Sequence, residues 1–304
     1  MQSEAGISSS YFDSDYKSSG AEVVKSEKTL LSDADLIFSI VRPDIKLLKL
    51  FKKGSILICQ METYINSNEL KDIAKLGITC FALEQVPRIS RAQSMDVLSS
   101  QSNLAGYRAV IEASQIYRKA FPMMMTAAGT IPPARVLVMG AGVAGLQAIA
   151  TAKRMGAIVS ATDVRPAAKE QVESLGGKFV AVEDEEFKEA ESSGGYAKQM
   201  SAAYQKKQAE LVSKTISDQD IVITTALIPG KPAPKLISDD MIKSMKPGSV
   251  IVDLAAVAGG NCSATKADKV VVKHEINIVG YTNIPSRLAG DASRLYARNI
   301  FAFL

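Results

Sequence analysis

Histidine and cysteine are scarce in this sequence, and their scarcity excludes several classes of protein. The 304 residues include one histidine, His274, and three widely spaced cysteines, Cys59, Cys80 and Cys262. A single histidine excludes most metal sites and most catalysis that uses histidine as an acid or base. Three distant cysteines support neither a disulfide framework nor a zinc cluster. We therefore expect no bound metal, a reducing compartment and a structural or surface role for His274.

The sequence also lacks a strong net charge and a long uninterrupted apolar run. Its 36 Lys+Arg and 32 Asp+Glu leave a formal charge of +4, which is too small and too evenly spread to indicate nucleic-acid binding. Glycines and Gln147 interrupt the longest apolar stretch, residues 136–152, so no membrane span is predicted. The first twenty residues are polar and Ser-rich and predict no export signal.

What the sequence does contain is a regular alternation of short β-rich runs and helical patterns. This alternation, with 47% apolar residues to fill a core, predicts a parallel α/β architecture. We expect an N-terminal α/β domain from residues 1–103 plus 289–304, and a Rossmann domain from residues 104–288. Strands are predicted at 21–24, 36–40, 55–59, 79–82, 135–139, 158–163, 178–180, 221–225, 249–253 and 277–280. Helices are predicted at 45–50, 69–76, 103–120, 146–155 and 169–175.

Two stretches interrupt this alternation. Residues 86–102 are polar and predict a functional loop before the long helix. Residues 183–208 are charged and longer than a crossover requires. They indicate either a pair of solvated helices with a flexible turn at 192–195 or a mobile loop carrying Tyr196.

The strongest local pattern is a glycine-rich turn between a predicted strand and helix. Gly140 permits a tight turn, Gly142 lets backbone N–H groups approach a pyrophosphate, and Gly145 allows the helix to pack closely on the sheet. Asp163 ends the next predicted strand, close to the spacing of roughly 20 residues expected for an acid that binds ribose hydroxyls. Such an acid favours NAD(H) over NADP(H), although Arg165 nearby is of the type that accommodates a 2′-phosphate.

The predicted loop before the long helix offers a second set of polar groups. Its guanidinium, amide, carboxylate and hydroxyl groups could hold a carboxamide ring by hydrogen bonds. Alternatively, Ser99 or Ser100 caps the following helix and Asp96 forms a surface ion pair, and both roles are compatible with ligand contact. The side chains concerned are Arg88, Arg91, Gln93, Asp96, Ser99 and Ser100.

Long blocks spread over nearly the whole sequence resemble the NAD(H)-binding component, domain I, of the proton-translocating NAD(P) transhydrogenases. The first two are the run from Pro87 to Glu112 and the segment MGAGVAGLQAIATAKRMGAIVSATDVR that ends at Arg165. The others are VESLGGKF (172–179), ITTALIPGKPAP (223–234), MKPGSVIVDLA (245–255) and GYTNIPSR (280–287).

The resemblance implies roles for individual residues and for partners. It implies a usually dimeric protein that binds NAD(H) and presents it to an NADP(H)-carrying domain, with proton translocation in separate membrane-spanning subunits. A location on the cytoplasmic, inner face of the membrane follows from such partners. The residues matching the loop around the nicotinamide are Arg88, Gln93, Asp96 and Ser99. The other cofactor-binding matches are Gly140, Gly142, Val143, Gly145, Asp163, Val164, Arg165, Gly195, Tyr196, Gln208 and Leu227.

One departure from the family's pattern leaves alternatives open. The family has about one strand and helix before the segment that resembles residues 5–24, so we expect the first domain to lack its opening βα unit. A catalytically silent NAD-binding module is therefore one alternative. Another is an alanine dehydrogenase, a family similar in fold. That family places a Lys after its third strand and a His after its fourth, whereas the corresponding segments, SIVRPD (39–44) and CQMETYI (59–65), contain neither.

Overall fold

The computed structural model describes residues 1–63, 67–188 and 201–304. Two compact units make up the chain. The first comprises Met1–Gln101 with Leu288–Leu304, and the second comprises Ser102–Arg287. Among the described residues, no helix combines the length and the apolar character that crossing a membrane requires.

The first unit contains a three-stranded parallel sheet, in the order β1-β2-β3. Helices α3 and α4 contribute to an apolar cluster with the interior positions of the strands. The elements are α1 (Asp13–Ser18), α2 (Glu27–Leu31), β1 (Leu36–Val41), α3 (Ile45–Leu48), β2 (Ile56–Gln60), α4 (Ser67–Ala74), β3 (Thr79–Ala82) and the C-terminal α11 (Ala289–Phe303). A long helix, α5 (Val97–Ile116), begins in this unit and ends in the second.

The second unit is built on a seven-stranded sheet in the order β11-β12-β10-β9-β6-β7-β8. Only β11, at the edge, is antiparallel to its neighbour. The strands are β4 (Met124–Thr126), β5 (Gly129–Ile131), β6 (Arg135–Met139), β7 (Ile158–Thr162), β8 (Lys178–Phe179), β9 (Ile221–Thr224), β10 (Val250–Asp253), β11 (Val270–Lys273) and β12 (Ile276–Val279). The helices are α6 (Val143–Arg154), α7 (Ala168–Ser174), α8 (Glu185–Lys188), α9 (Ala202–Ile216) and α10 (Asp239–Ser244).

The central strands explain why this unit reads so clearly in the sequence. All four residues of β9 and of β10 are buried, as expected for strands covered on both faces. The parallel α/β architecture is therefore confirmed. Because the carboxyl ends of β6, β7, β9 and β10 meet at one edge of the sheet, the loops that follow them converge there.

Several sequence predictions need correction. Residues 21–24 form no strand, because only Val24 pairs, in a single bridge to Gln2. The long helix begins at Val97, six residues before its predicted start, so the second half of the predicted loop is helical. The segment containing His274 is not a strand but the two-residue turn between β11 and β12, where His274 has φ 50° and is exposed.

Candidate functional site

The glycine-rich turn after β6 has a different steric reason for each glycine. Gly140 has φ +106°, and a Cβ there would lie 2.4 Å from the Thr225 Oγ1 atom. A Cβ on Gly145 would lie 1.8 Å from the Gly140 carbonyl oxygen, so only glycine lets α6 pack this closely. A Cβ on Gly142 would meet no atom within 4 Å. The middle glycine thus faces open space at the start of a 12-residue helix that no side chain caps, which suits an anionic group.

Asp163 follows β7 directly and joins this turn to the next loop. Its carboxylate accepts hydrogen bonds from the Ala141 N–H (2.7 Å) and the Arg165 N–H (2.9 Å). It also receives both Nε (2.9 Å) and Nη2 (3.0 Å) of the Arg165 guanidinium. The hydrogen bond to Asp163 raises the pKa of the Arg165 guanidinium. The acid expected to bind a ribose therefore also fixes the glycine-rich turn and holds the neighbouring arginine.

The remaining cofactor-binding candidates of this unit divide into two groups. Val143, Val164 and Leu227 are exposed apolar side chains in the segments that follow β6, β7 and β9. Gln208, in contrast, has an internal structural role. Its amide oxygen accepts the Val182 N–H (2.9 Å), and its amide nitrogen donates to Thr162 Oγ1 (3.0 Å). Gly195 and Tyr196 lie outside the described residues.

In the first unit, the four residues predicted around a nicotinamide lie close together in sequence but differ in environment. Arg88 and Gln93 are exposed, and Gln93 lies on a short 3-10 helix, Ser90–Met95. Asp96 and Ser99 bond to each other, since the Asp96 carboxylate accepts the Ser99 N–H (2.9 Å) and hydroxyl (2.6 Å). Asp96 is thus the N-cap of α5, and the alternative in which Ser99 or Ser100 caps that helix is wrong.

Two buried asparagines that sequence reasoning missed hold loops of the candidate site. Asn299, on α11, donates to the Ser94 carbonyl (2.7 Å) and accepts the Ser100 hydroxyl (2.8 Å), so it ties the 3-10 helix to α5. Asn261 donates to the Ala226 carbonyl (2.8 Å) in the loop after β9. Their partners are distant in the chain, so no local pattern marks either residue.

The described residues contain no group of three or more His, Cys, Asp and Glu side chains arranged to hold a metal ion. They do fit a dinucleotide in the second unit. Gly142 leaves room for a pyrophosphate against an uncapped helix N-terminus. Asp163 places a carboxylate at the carboxyl end of the adjacent strand, where ribose hydroxyls bind in such folds.

Comparisons with known proteins agree with this arrangement. Two family models match: the N-terminal domain of alanine dehydrogenase/PNT over residues 1–105, and the C-terminal domain of alanine dehydrogenase/PNT over residues 109–304. The chain is 56% identical over 309 aligned residues to an NAD(P) transhydrogenase subunit alpha polypeptide of Rhodospirillum rubrum, covering all of this chain and 80% of that protein.

Solved structures give the same grouping. The transhydrogenase of Sinorhizobium meliloti matches with a TM-score of 0.91 and 52% identity, over all of this chain and 82% of that one. An L-alanine dehydrogenase, at 21% identity, shares the fold with a TM-score of 0.80 over 99% of this chain and 79% of that one. The chain therefore belongs to the alanine dehydrogenase/PNT family and, within it, groups with the NAD(P) transhydrogenase alpha subunits.

Proposed function

We propose that this chain is the NAD(H)-binding component of a proton-translocating NAD(P) transhydrogenase and acts in hydride transfer between NADH and NADP+ held on a partner domain. The observation that carries the proposal is the backbone cradle at Gly142, with Gly140 and Gly145 packed around it and Asp163 bonded to it. The names of the relatives at 56% and 52% identity support the same activity.

The second unit supplies the groups that bind the dinucleotide. The backbone at Gly142 and the N-terminal end of α6 hold the pyrophosphate, and Val143, Val164 and Leu227 provide apolar contact beside it. Asp163 binds the ribose hydroxyls and disfavours a 2′-phosphate, so the cofactor is NAD(H). We include Arg165, Gly195, Tyr196 and Gln208 in this cofactor-binding set on the strength of their match to the family's pattern.

The first unit supplies the groups that orient the reacting ring. When bound, NADH supplies a hydride from its nicotinamide. Direct transfer to a second nicotinamide requires proximity, alignment and exclusion of water, and no general acid or base. Arg88 and Gln93 offer hydrogen-bond donors to the carboxamide, while Asp96 and Ser99, bonded to each other, fix the loop and present further polar atoms. A permanently charged guanidinium suits binding rather than proton transfer.

Separate polypeptides complete the enzyme in this proposal. They carry the NADP(H) site and the membrane-spanning, proton-translocating subunit, and they hold this chain on the cytoplasmic, inner face of the membrane. Neither a metal nor a nucleic acid is involved.

We also propose that the chain forms a homodimer, with the β4–β5 hairpin in the interface. The two strands pair only with each other within the described structure, and all six of their residues are exposed. They include Met125, which is 78% exposed, and Ile131. An isolated hairpin is marginally stable in water, so an apolar partner surface would stabilise it. Sedimentation should show a dimer that Met125→Asp weakens and that Val272→Asp, at another exposed apolar position, leaves intact.

The activity is tested by mixing the purified protein with the NADP-binding domain of a transhydrogenase and following reduction of an NADP analogue by NADH. We expect hydride transfer well above background. Background transfer with intact NADH binding would identify a silent NAD-binding module instead. Sustained NADH formation from L-alanine and NAD would identify an alanine dehydrogenase.

A further inference from the structure

Asn261 is a fully buried side chain whose amide is wholly used in hydrogen bonds to a neighbouring loop. Its Oδ1 atom accepts the Ala226 N–H (3.1 Å), and its Nδ2 atom donates to the carbonyls of Ala226 (2.8 Å) and Pro234 (2.8 Å). Both backbone groups of Ala226 are thereby fixed by one side chain. A flat amide that pairs with the N–H and C=O of one residue sets that residue's orientation as well as its position.

The residues on either side of Ala226 belong to the cofactor site. Thr225 donates its hydroxyl hydrogen to the Gly140 carbonyl (3.0 Å), which connects the loop after β9 to the glycine-rich turn. Leu227 exposes 49% of its surface and is one of the predicted cofactor contacts. Fixing Ala226 therefore fixes both the support of the glycine-rich turn and the base of Leu227.

Asn261 is itself held in place by Asp253, at the end of β10. The buried Asp253 carboxylate accepts the N–H groups of Ala255 (3.0 Å) and Cys262 (3.0 Å) and the hydroxyls of Thr224 (3.0 Å) and Thr265 (2.5 Å). Four donors satisfy this carboxylate within the protein, so it acts as an anchor for the backbone next to Asn261. The chain of contacts runs from β10 through Asn261 to the loop that carries Leu227.

We infer that Asn261 is a positioning residue of the NADH site, which it serves by holding Leu227 and Thr225 in the geometry that the dinucleotide requires. This inference rests on the proposed NADH-binding function. Preorganised loops raise affinity because the cost of ordering them is not incurred again on binding.

The first test uses Asn261→Asp, which keeps the shape of the side chain and the bond from the Ala226 N–H. It removes both donated hydrogen bonds and turns a carboxylate oxygen toward two carbonyls. We expect the NADH Kd, measured by fluorescence well below the unfolding temperature, to rise roughly tenfold, the equivalent of about 1.4 kcal/mol. The matched control is Gln219→Glu, another buried amide of the same unit, which donates to Thr215 (3.0 Å) at the amino end of β9. It should leave the Kd unchanged.

The second test asks whether Asn261 acts through Leu227. In a double-mutant cycle with Leu227→Ala, the two losses of NADH affinity should be less than additive, because a misplaced loop no longer presents Leu227. Asn261→Ser replaces Asn261→Asp in the cycle if the aspartate variant does not fold. Unchanged affinity in the folded variants, or strictly additive losses, would overturn the inference while NADH binding by the wild type stands. Failure of the wild type to bind NADH would overturn the proposed function as well.

Discussion

At the scale of single residues, the candidate site contains two kinds of position. Gly140, Gly142 and Gly145 have roles that follow from local geometry, namely a positive φ, an open approach and a close contact with a carbonyl. Asn261 and Asn299 act through partners brought together only by folding. Substitutions of the first kind change the cradle itself, while those of the second kind change what supports it.

Gln93→Asn is expected to lower hydride transfer much more than NADH affinity. The shorter side chain keeps an amide in the exposed 3-10 helix but displaces it by one methylene, and small misalignments of reacting groups cost far more rate than binding. Stopped-flow transfer rates and NADH titrations of the same preparation measure the two effects. Equal losses would show that Gln93 only binds.

Asp163→Ala is expected to weaken NADH binding and to relax the rejection of NADPH. The substitution frees the Arg165 guanidinium, now held by two bonds to the carboxylate, for a 2′-phosphate. Fluorescence titrations with NADH and NADPH measure both affinities. Asp163→Asn, which keeps the acceptor for the Ala141 N–H, should lose less NADH affinity. An unchanged ratio of the two affinities would contradict a selective role for the acid.

At the scale of the secondary-structure elements, the ends of helices decide where the candidate groups lie. Helix α6 begins at Val143 with no side-chain cap and so keeps an anion-binding end. Helix α5 begins at Val97 with Asp96 as its cap. The same carboxylate that is expected near the nicotinamide therefore also terminates a long helix, and its two roles can be separated by substitution.

Asp96→Ala is expected to lower the free energy of unfolding by about 1 kcal/mol, because the Ser99 N–H loses its acceptor. Asp96→Asn should retain most of this stability, since asparagine is an equally good N-cap. Thermal unfolding of the two variants beside the wild type provides the measurement. If alanine were tolerated as well as asparagine, Asp96 would not stabilise the helix start.

At the scale of the whole molecule, stability and function draw on different regions of the fold. The second unit carries a buried seven-stranded sheet with loops at its carboxyl edge. The first unit carries a smaller, three-stranded sheet. Cys59, on β2, is fully buried in that smaller unit, and its thiol donates to the Met61 sulfur (3.4 Å). Ionisation of this thiol would place an uncompensated charge in an apolar cluster.

The pH dependence of stability should reveal this buried thiol. Burial raises the pKa of Cys59 from 9.0 to about 12. The unfolded chain therefore releases this proton at lower pH than the folded one, so its contribution is intact below pH 9.0 and is lost as the pH rises toward 12. We expect the unfolding temperature of the wild type to fall more steeply above pH 9.0 than that of Cys59→Ala. Parallel curves would contradict a buried, neutral Cys59.

The sequence by itself determined the alternation of strands and helices, the glycine-rich turn and the position of Asp163, because these depend on burial periodicity and on backbone freedom over a few residues. Only the tertiary structure decided where the Asp163 carboxylate finds its partners, that Asp96 caps α5, and that two asparagines hold the site loops. Asn261 bonds across 35 residues and Asn299 across 205. Hydrogen bonds over such separations depend on which loops the packed sheet and helices bring together, and no local pattern encodes that.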